Sequence, residues 1–165
     1  NHENKIIRYL KHEKSGVKNP IKLDEDEKNI VSNLNVGDID FLNNMLLFMK
    51  FGGITILHAG LQNHFNLESL SKEEKSKVLR LRYITNDDKF IPFGEEDSGS
   101  IFWSKAYDGK QGFIVYGHQT FKEARIGKYS LGIDTGCVYG NKLSAAVFSD
   151  IDNIDSYSIY SIDSQ

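Results

Sequence analysis

The spacing of apolar and polar residues changes once along this chain, near residue 46. Before that point the apolar positions recur at helical intervals. Ile6, Ile7 and Leu10 make a short apolar face within residues 1–13, with Lys5, Arg8 and Lys11 on polar positions, which predicts a helix. "SGVKNP" at 15–20 ends it, because Gly and Pro break helical continuity. "DEDEKNIVSNL" at 24–34 predicts a second, charged helix. Asp38 is read as the cap of a third, with Phe41, Leu42 and Met45 facing inward. After residue 46 the period shortens. "LLFMKF" at 46–51 and "ITILHA" at 54–59 flank Gly52-Gly53, which predicts a hairpin closed by a type I′ turn with both glycines at positive φ. Ser71 and Glu74 stand at capping-box spacing, so a helix is expected to start there. Residues 84–111 are rich in Asp, Glu, Gly and Ser and are expected to form a long surface excursion around Phe102-Trp103. Strands follow at 112–117, 130–136, 143–148 and 156–162. The order is helices first, then mainly antiparallel strands, with no internal repeat or linker.

Composition narrows the class. The chain has 165 residues, which fits one domain, and 39% hydrophobic residues, enough for a packed core. Its net charge of -3 argues against a general nucleic-acid binder, which is usually basic. No apolar run approaches the ~18 residues of a membrane span, so no membrane partner is expected. The single cysteine, Cys137, excludes an internal disulfide, fits a reducing, cytoplasmic setting and is read as a small buried filler.

Three places carry chemistry: Asn1-His2-Glu3, His58 and His118. His58 ends the strand "ITIL" and precedes Ala59-Gly60; His118 ends "GFIVY" and follows Gly117. Ligand sites gather where strands give way to loops, and imidazole is the commonest neutral metal ligand. Taken singly, a histidine after a strand is more often a hydrogen-bonded structural residue. His12 and His64 are read as solvated. Arg80 and Arg82 stand two apart, so an extended chain there places both on one face, as anion-binding arginines need.

Together these pieces resemble the C-terminal part of a calcineurin-like metallophosphoesterase. "NHE" at 1–3 is similar to that family's Gly-Asn-His-Glu/Asp motif without its glycine, "HAG" at 58–60 to its His-Ala/Gly-Gly motif, and "YGHQ" at 116–119 to its Gly-His motif. The matches come in the family's order and span the whole chain. Two earlier aspartate motifs of the family have no counterpart here. "RLRYITND" at 80–87 and "GIDTGCVYGNKLSA" at 132–145 resemble the bacterial diadenosine tetraphosphatase branch. Glu3 is instead what the Ser/Thr protein phosphatases carry, and "FWSKAYDG" with "VYGHQ" resembles bacterial phosphatases linked to polynucleotide repair.

The resemblance implies an α/β fold, the C-terminal part of a four-layer α-β-β-α sandwich, with residues 1–165 forming one portion of a single domain. It implies hydrolysis of a phosphate ester or anhydride at two divalent metal ions, Mn, Fe or Zn. Asn1, His58 and His118 are the implied ligands of one metal, His2 the general acid, and Arg82, or else Arg80, the group that holds a phosphate oxygen. Asp134 and Tyr139 are implied to sit nearby. The implied substrate is a phosphorylated small molecule or nucleotide, foremost a dinucleoside tetraphosphate; a phosphoprotein is the alternative. A third reading is an incomplete fragment that only binds. The chain alone is expected to be inactive and to hold at most one metal weakly, because the other ligands belong to the two earlier motifs.

Overall fold

The five-stranded sheet of the larger unit is covered on both faces, which leaves the ends of its strands as the places where the chain meets solvent. The computed structural model describes residues 2–165. The chain divides into a helical unit that ends at Leu46 and a larger unit from Leu47 to Gln165.

The first unit holds α1 (His2–Lys14), α2 (Glu25–Asn33) and α3 (Val36–Asn43). Ile6 and Ile7 of α1 are buried, as their spacing predicts. Glu27 serves two purposes. Its carboxylate accepts from the Asp24 N–H at 3.0 Å while the Asp24 carboxylate accepts from the Glu27 N–H at 2.8 Å, a capping box that starts α2. It also accepts from Lys5 Nζ at 2.7 Å, which ties α2 to α1. The cap of α3 is Asn35, not Asp38. Asp38 lies three residues further on and returns the bond, accepting from the Asn35 N–H at 2.9 Å. Phe41 and Met45 are exposed, against expectation, and only Leu42 of that set is half-buried.

In the second unit the central sheet has the order β1-β2-β6-β8-β7, built from β1 (Phe48–Phe51), β2 (Ile54–Leu57), β6 (Phe113–Tyr116), β7 (Arg125–Ile126) and β8 (Ser130–Gly132). The predicted hairpin forms, with Phe51 opposite Ile54. Of its two turn glycines only Gly52 has positive φ, at 53°, which is the φ pattern of a type II′ turn. A Cβ at Gly52 would also lie 2.8 Å from the Ile151 carbonyl oxygen, so the turn needs glycine twice over. Antiparallel pairs predominate across the unit, but β2–β6 and β6–β8 are parallel.

Alternation along the strands makes two cores. Ile54, Phe113, Val115 and Leu131 face a hairpin of β9 (Lys142–Phe148) and β10 (Tyr157–Asp163), meeting Ala146, Phe148, Tyr157 and Ile159. Leu57, Ile114 and Tyr116 face the opposite way. They meet Val78 of α4 (Lys72–Val78), Trp103 of α5 (Trp103–Ala106), and Leu61, Phe65 and Leu81 from the connections. All four residues of β6 are therefore buried. Helix α4 starts at the predicted capping box of Ser71 and Glu74.

Residues 84–111 do not form a mere surface excursion. β3 (Tyr83–Ile84), β4 (Phe90–Ile91) and β5 (Ile101–Phe102) make a small antiparallel sheet in the order β4-β3-β5. Phe102 and Trp103 sit in the larger core, the Trp103 ring 4.9 Å from that of Tyr116. The polar residues that suggest a loop are confined to the turns between these strands. Tyr107 pins the segment, donating to the Gly112 carbonyl and accepting from the Gln111 N–H, both at 2.9 Å. Burial pushes its phenol up to about 12. Cys137 is half-buried in a tight turn rather than a core filler, and His64 is exposed yet paired with Asp88 at 2.9 Å. Among the described residues no helix is long and apolar enough to cross a membrane.

Two predictions follow from this packing. A Cβ at Gly60 would lie 2.6 Å from Trp103 Nε1, and the indole is fully buried and cannot retreat. Gly60→Ala should therefore destabilise the protein by about 1–3 kcal/mol, the usual cost of overpacking; denaturant unfolding reads it, and an unchanged midpoint would refute the close approach. The second concerns acid. The Lys5 ammonium, then the Asp24 N–H, hold the Glu27 carboxyl below its ordinary 4.5. A depressed carboxyl stabilises the fold above its unfolded value, and that contribution disappears as pH falls through the folded value. Helical signal from thermal melts at pH 7 and pH 3 should show a smaller acid loss in Glu27→Gln than in the parent; equal losses would remove Glu27 from that role.

Candidate metal and phosphate site

The parallel pairs send three chain segments out of the same edge of the central sheet. β2 runs into His58, β6 into Gly117-His118, and β8 into Ile133-Asp134. Backbone bonding continues past the strand ends. The Gly117 N–H donates to the His58 carbonyl at 3.0 Å, and the Ile133 N–H donates to that of Tyr116 at 3.0 Å. The Phe121 N–H then donates to the Asp134 carbonyl at 3.0 Å and closes the loop that carries His118. Asp134 Oδ1 accepts from the Gly136 N–H at 3.2 Å, which steadies the loop after β8.

At this edge the two histidines, 60 residues apart in sequence, bring His58 Nε2 and His118 Nδ1 to 3.1 Å. The rings are tilted by 56° with centroids 4.9 Å apart. His58 is exposed and His118 half-buried. His118 holds φ at +68°, one of two non-glycine residues at positive φ among those described. That conformation costs roughly 1–3 kcal/mol and persists where the surroundings enforce it, often at functional sites. A hydrogen bond between the two imidazoles contributes only about 0.5–1.5 kcal/mol, so it does not by itself offset the strain. The geometry also suits a shared ion. Two nitrogens each about 2.1 Å from one metal, at tetrahedral or octahedral angles, stand roughly 3.0–3.4 Å apart. No group of three His, Cys, Asp or Glu side chains poised for a metal occurs among the described residues. What the described residues bring together here is two ring nitrogens.

Next to His118, Gln119 lines a cleft of about 350 Å³ together with Arg82, Tyr83, Phe93, Glu96, Asp97 and Ser100. Arg82 immediately precedes β3, and its carbonyl accepts from the Trp103 N–H at 3.0 Å. Its guanidinium carbon lies 4.7 Å from the Phe93 ring centroid. Its Nε is buried without a hydrogen-bond partner among the described residues. None of the described ion pairs includes it.

Arg80 does not share this cleft. It turns back onto α4, donating from Nε to the Ser76 carbonyl at 3.2 Å and from a terminal nitrogen to Ser76 Oγ at 2.9 Å. The chain is not extended at Arg80, so spacing by two does not place the arginines on one face. Asn1 lies outside the described residues. His2 begins α1 in the first unit and is exposed. Tyr139 is exposed in the turn after Gly136. Sequence reasoning missed Phe93, Glu96, Asp97 and Gln119. The available signal was an aromatic between Pro92 and Gly94, where turn residues hold it out of any regular element.

No family model matches the chain. Among curated proteins it is 29% identical over 155 residues to the bis(5'-nucleosyl)-tetraphosphatase PrpE of Oceanobacillus iheyensis, covering 90% of this chain and 59% of that protein. It is 30% identical to the protein of the same name from Bacillus subtilis, covering 93% of this chain and 63% of the relative. The chain thus spans about three fifths of the length of these relatives. A crystal structure provisionally assigned as a diadenosine tetraphosphatase superposes with a TM-score of 0.72, covering 99% of this chain and 66% of that one at 19% identity, which establishes the shared fold. By sequence the chain is thus similar, across nine tenths of its length, to proteins named bis(5'-nucleosyl)-tetraphosphatase, and it shares the fold of the solved structure.

Proposed function

We propose that this chain provides metal-holding and phosphate-holding groups for the hydrolysis of a dinucleoside tetraphosphate. The observation that carries the reading is the pair of imidazole nitrogens at 3.1 Å on the C-terminal edge of the parallel strands. The kinship to proteins named as tetraphosphatases supports the choice of a nucleotide anhydride as substrate.

The residues divide the work by chemistry. His58 and His118 would hold a divalent ion through Nε2 and Nδ1, both neutral donors that suit Zn, Fe or Ni. Such an ion, when bound, supplies Lewis-acid polarisation of a phosphoryl oxygen. The Gly117-to-His58 backbone bond fixes the relative height of the two rings. Arg82 would take a non-reacting phosphate oxygen, since its planar fork matches the phosphoryl group and none of the described ion pairs joins it to a carboxylate. Its stacking on Phe93 holds the guanidinium in place before a ligand arrives. On the motif alone, the same reading keeps Asn1 as a further ligand and His2 as the group that protonates the leaving oxygen. It also keeps residues 1–165 as a portion of one metallophosphoesterase domain.

Two measurements test these roles. Calorimetric titration with Mn²⁺ and Zn²⁺ should show binding that drops at least about tenfold in His58→Ala and again in His118→Ala, since each removes one of the two imidazole donors. Equal affinity in the parent and the double variant would refute the shared ion. Arg82→Ala should weaken binding of pyrophosphate by roughly 10–100-fold, the range for losing hydrogen bonds to a charged group, while metal affinity stays unchanged. Unchanged pyrophosphate binding would remove Arg82 from phosphate recognition.

A further inference from the structure

We infer that the cleft beside Arg82 is a nucleobase subsite that selects bases bearing an exocyclic amine. The inference rests on the phosphate role proposed for Arg82 and extends it to the other end of the nucleotide.

The walls of the cleft divide by chemistry. Phe93 and Tyr83 offer aromatic surface, and Arg82 is the only cation among the lining residues. Glu96 and Asp97 supply two carboxylates. A second phosphate is disfavoured beside those anions, so the cleft does not extend the phosphate track. A base presents the opposite pattern: a flat π-face for the aromatic wall and an N–H₂ donor for the acids. The volume of about 350 Å³ lies within the range of small-molecule sites.

Phe93 is 80% exposed, the largest exposure of any phenylalanine in the described residues. A lone exposed aromatic usually means nothing. Here the ring is stacked on the Arg82 guanidinium at 4.7 Å, which orders it at the rim of a cleft. A base placed against that ring adds stacking without losing the Arg82 contact.

The acidic wall is shaped in advance by its own bonds. Glu96 Oε2 accepts from the Gly94 N–H at 2.7 Å. Asp97 Oδ1 accepts from the Gly99 N–H at 2.9 Å and from Ser100 Oγ at 3.0 Å. The Glu95 N–H donates to the Pro92 carbonyl at 3.1 Å, and the Ser100 N–H to that of Asp97 at 3.1 Å. Each carboxylate has further acceptor capacity for a ligand amine. On the other side, the Gln119 amide can donate to and accept from one purine edge at once. Gln119 follows His118 directly, so the base wall and the histidine pair are carried by the same loop after β6.

The test uses ligands that separate base from phosphate. Adenosine, inosine and ribose 5-phosphate are titrated into the chain without metal, followed by NMR chemical-shift changes. Adenosine should bind and perturb the amides of residues 92–100 and Gln119, with inosine several-fold weaker. Phe93→Ala should weaken adenosine roughly tenfold, weaken ribose 5-phosphate by a smaller factor through the lost support of Arg82, and be rescued for both by Phe93→Tyr. The combined Glu96→Gln and Asp97→Asn variant should erase the preference for adenosine over inosine. Adenosine that fails to bind, or binds Phe93→Ala as well as the parent, overturns the subsite; ribose 5-phosphate binding that still depends on Arg82 then leaves the phosphate reading standing. Adenosine binding that depends on Phe93, with no ribose 5-phosphate binding, supports the subsite and overturns the phosphate role instead.

Discussion

Parallel pairing of β2, β6 and β8 is the constraint from which the rest of the larger unit follows. Parallel strands end on the same side, so the residues that leave them converge without any long-range design of the loops. His58 and His118 need only occupy the first and second positions after their strands to meet. The price is burial on both faces, and the sequence meets it with "GFIVY", in which every strand residue is buried. One face is closed by the β9–β10 hairpin and the other by α4, α5 and Trp103.

Trp103 links that packing to the cleft. Its ring lies against Tyr116 at the end of β6 and against the backbone of Gly60, two residues beyond His58. Its backbone N–H donates to the carbonyl of Arg82. A single buried residue thus touches both segments that carry the histidines through its ring and the arginine that lines the cleft through its backbone. The strain in His118 is tolerable in such a setting because its neighbours are fixed from three directions: the His58 carbonyl, the Tyr116 strand and the Asp134 carbonyl at the loop's far end. Arg125 adds to the same region, its guanidinium between Phe102 and Phe121 at 4.2 and 4.7 Å from their centroids.

Much of this was legible in the residues. Helical spacing placed α1 and α2, capping-box chemistry placed the start of α4, and Gly-Gly between apolar runs placed the hairpin, because each of those signals is local. The histidines were legible as strand-end residues, and their motifs fixed the kinship. One local signal misleads: the chemistry of Asp38 suits a cap, but Asn35 stands three residues earlier with the same chemistry. The other failures concern burial and contacts that spacing does not reveal. Phe41 and Met45 were assigned inward by apolarity, although an exposed face of a short helix accepts both. Phe102-Trp103 was set among polar residues and looked like a loop. Its burial depends on Gly60 and Tyr116, which are distant in sequence. The cleft was hidden for the same reason: Arg82, Phe93 and Gln119 are brought together only by the small β4-β3-β5 sheet and the loop after β6.

The direct measurement is anomalous X-ray scattering from crystals of this chain grown with Zn²⁺, collected on both sides of the zinc edge. A shared ion requires a peak about 2.0–2.1 Å from both His58 Nε2 and His118 Nδ1, with the two nitrogens close to their present 3.1 Å separation. A map with zinc on other residues and none between these rings would contradict it, leaving the pair as a structural contact between two imidazoles.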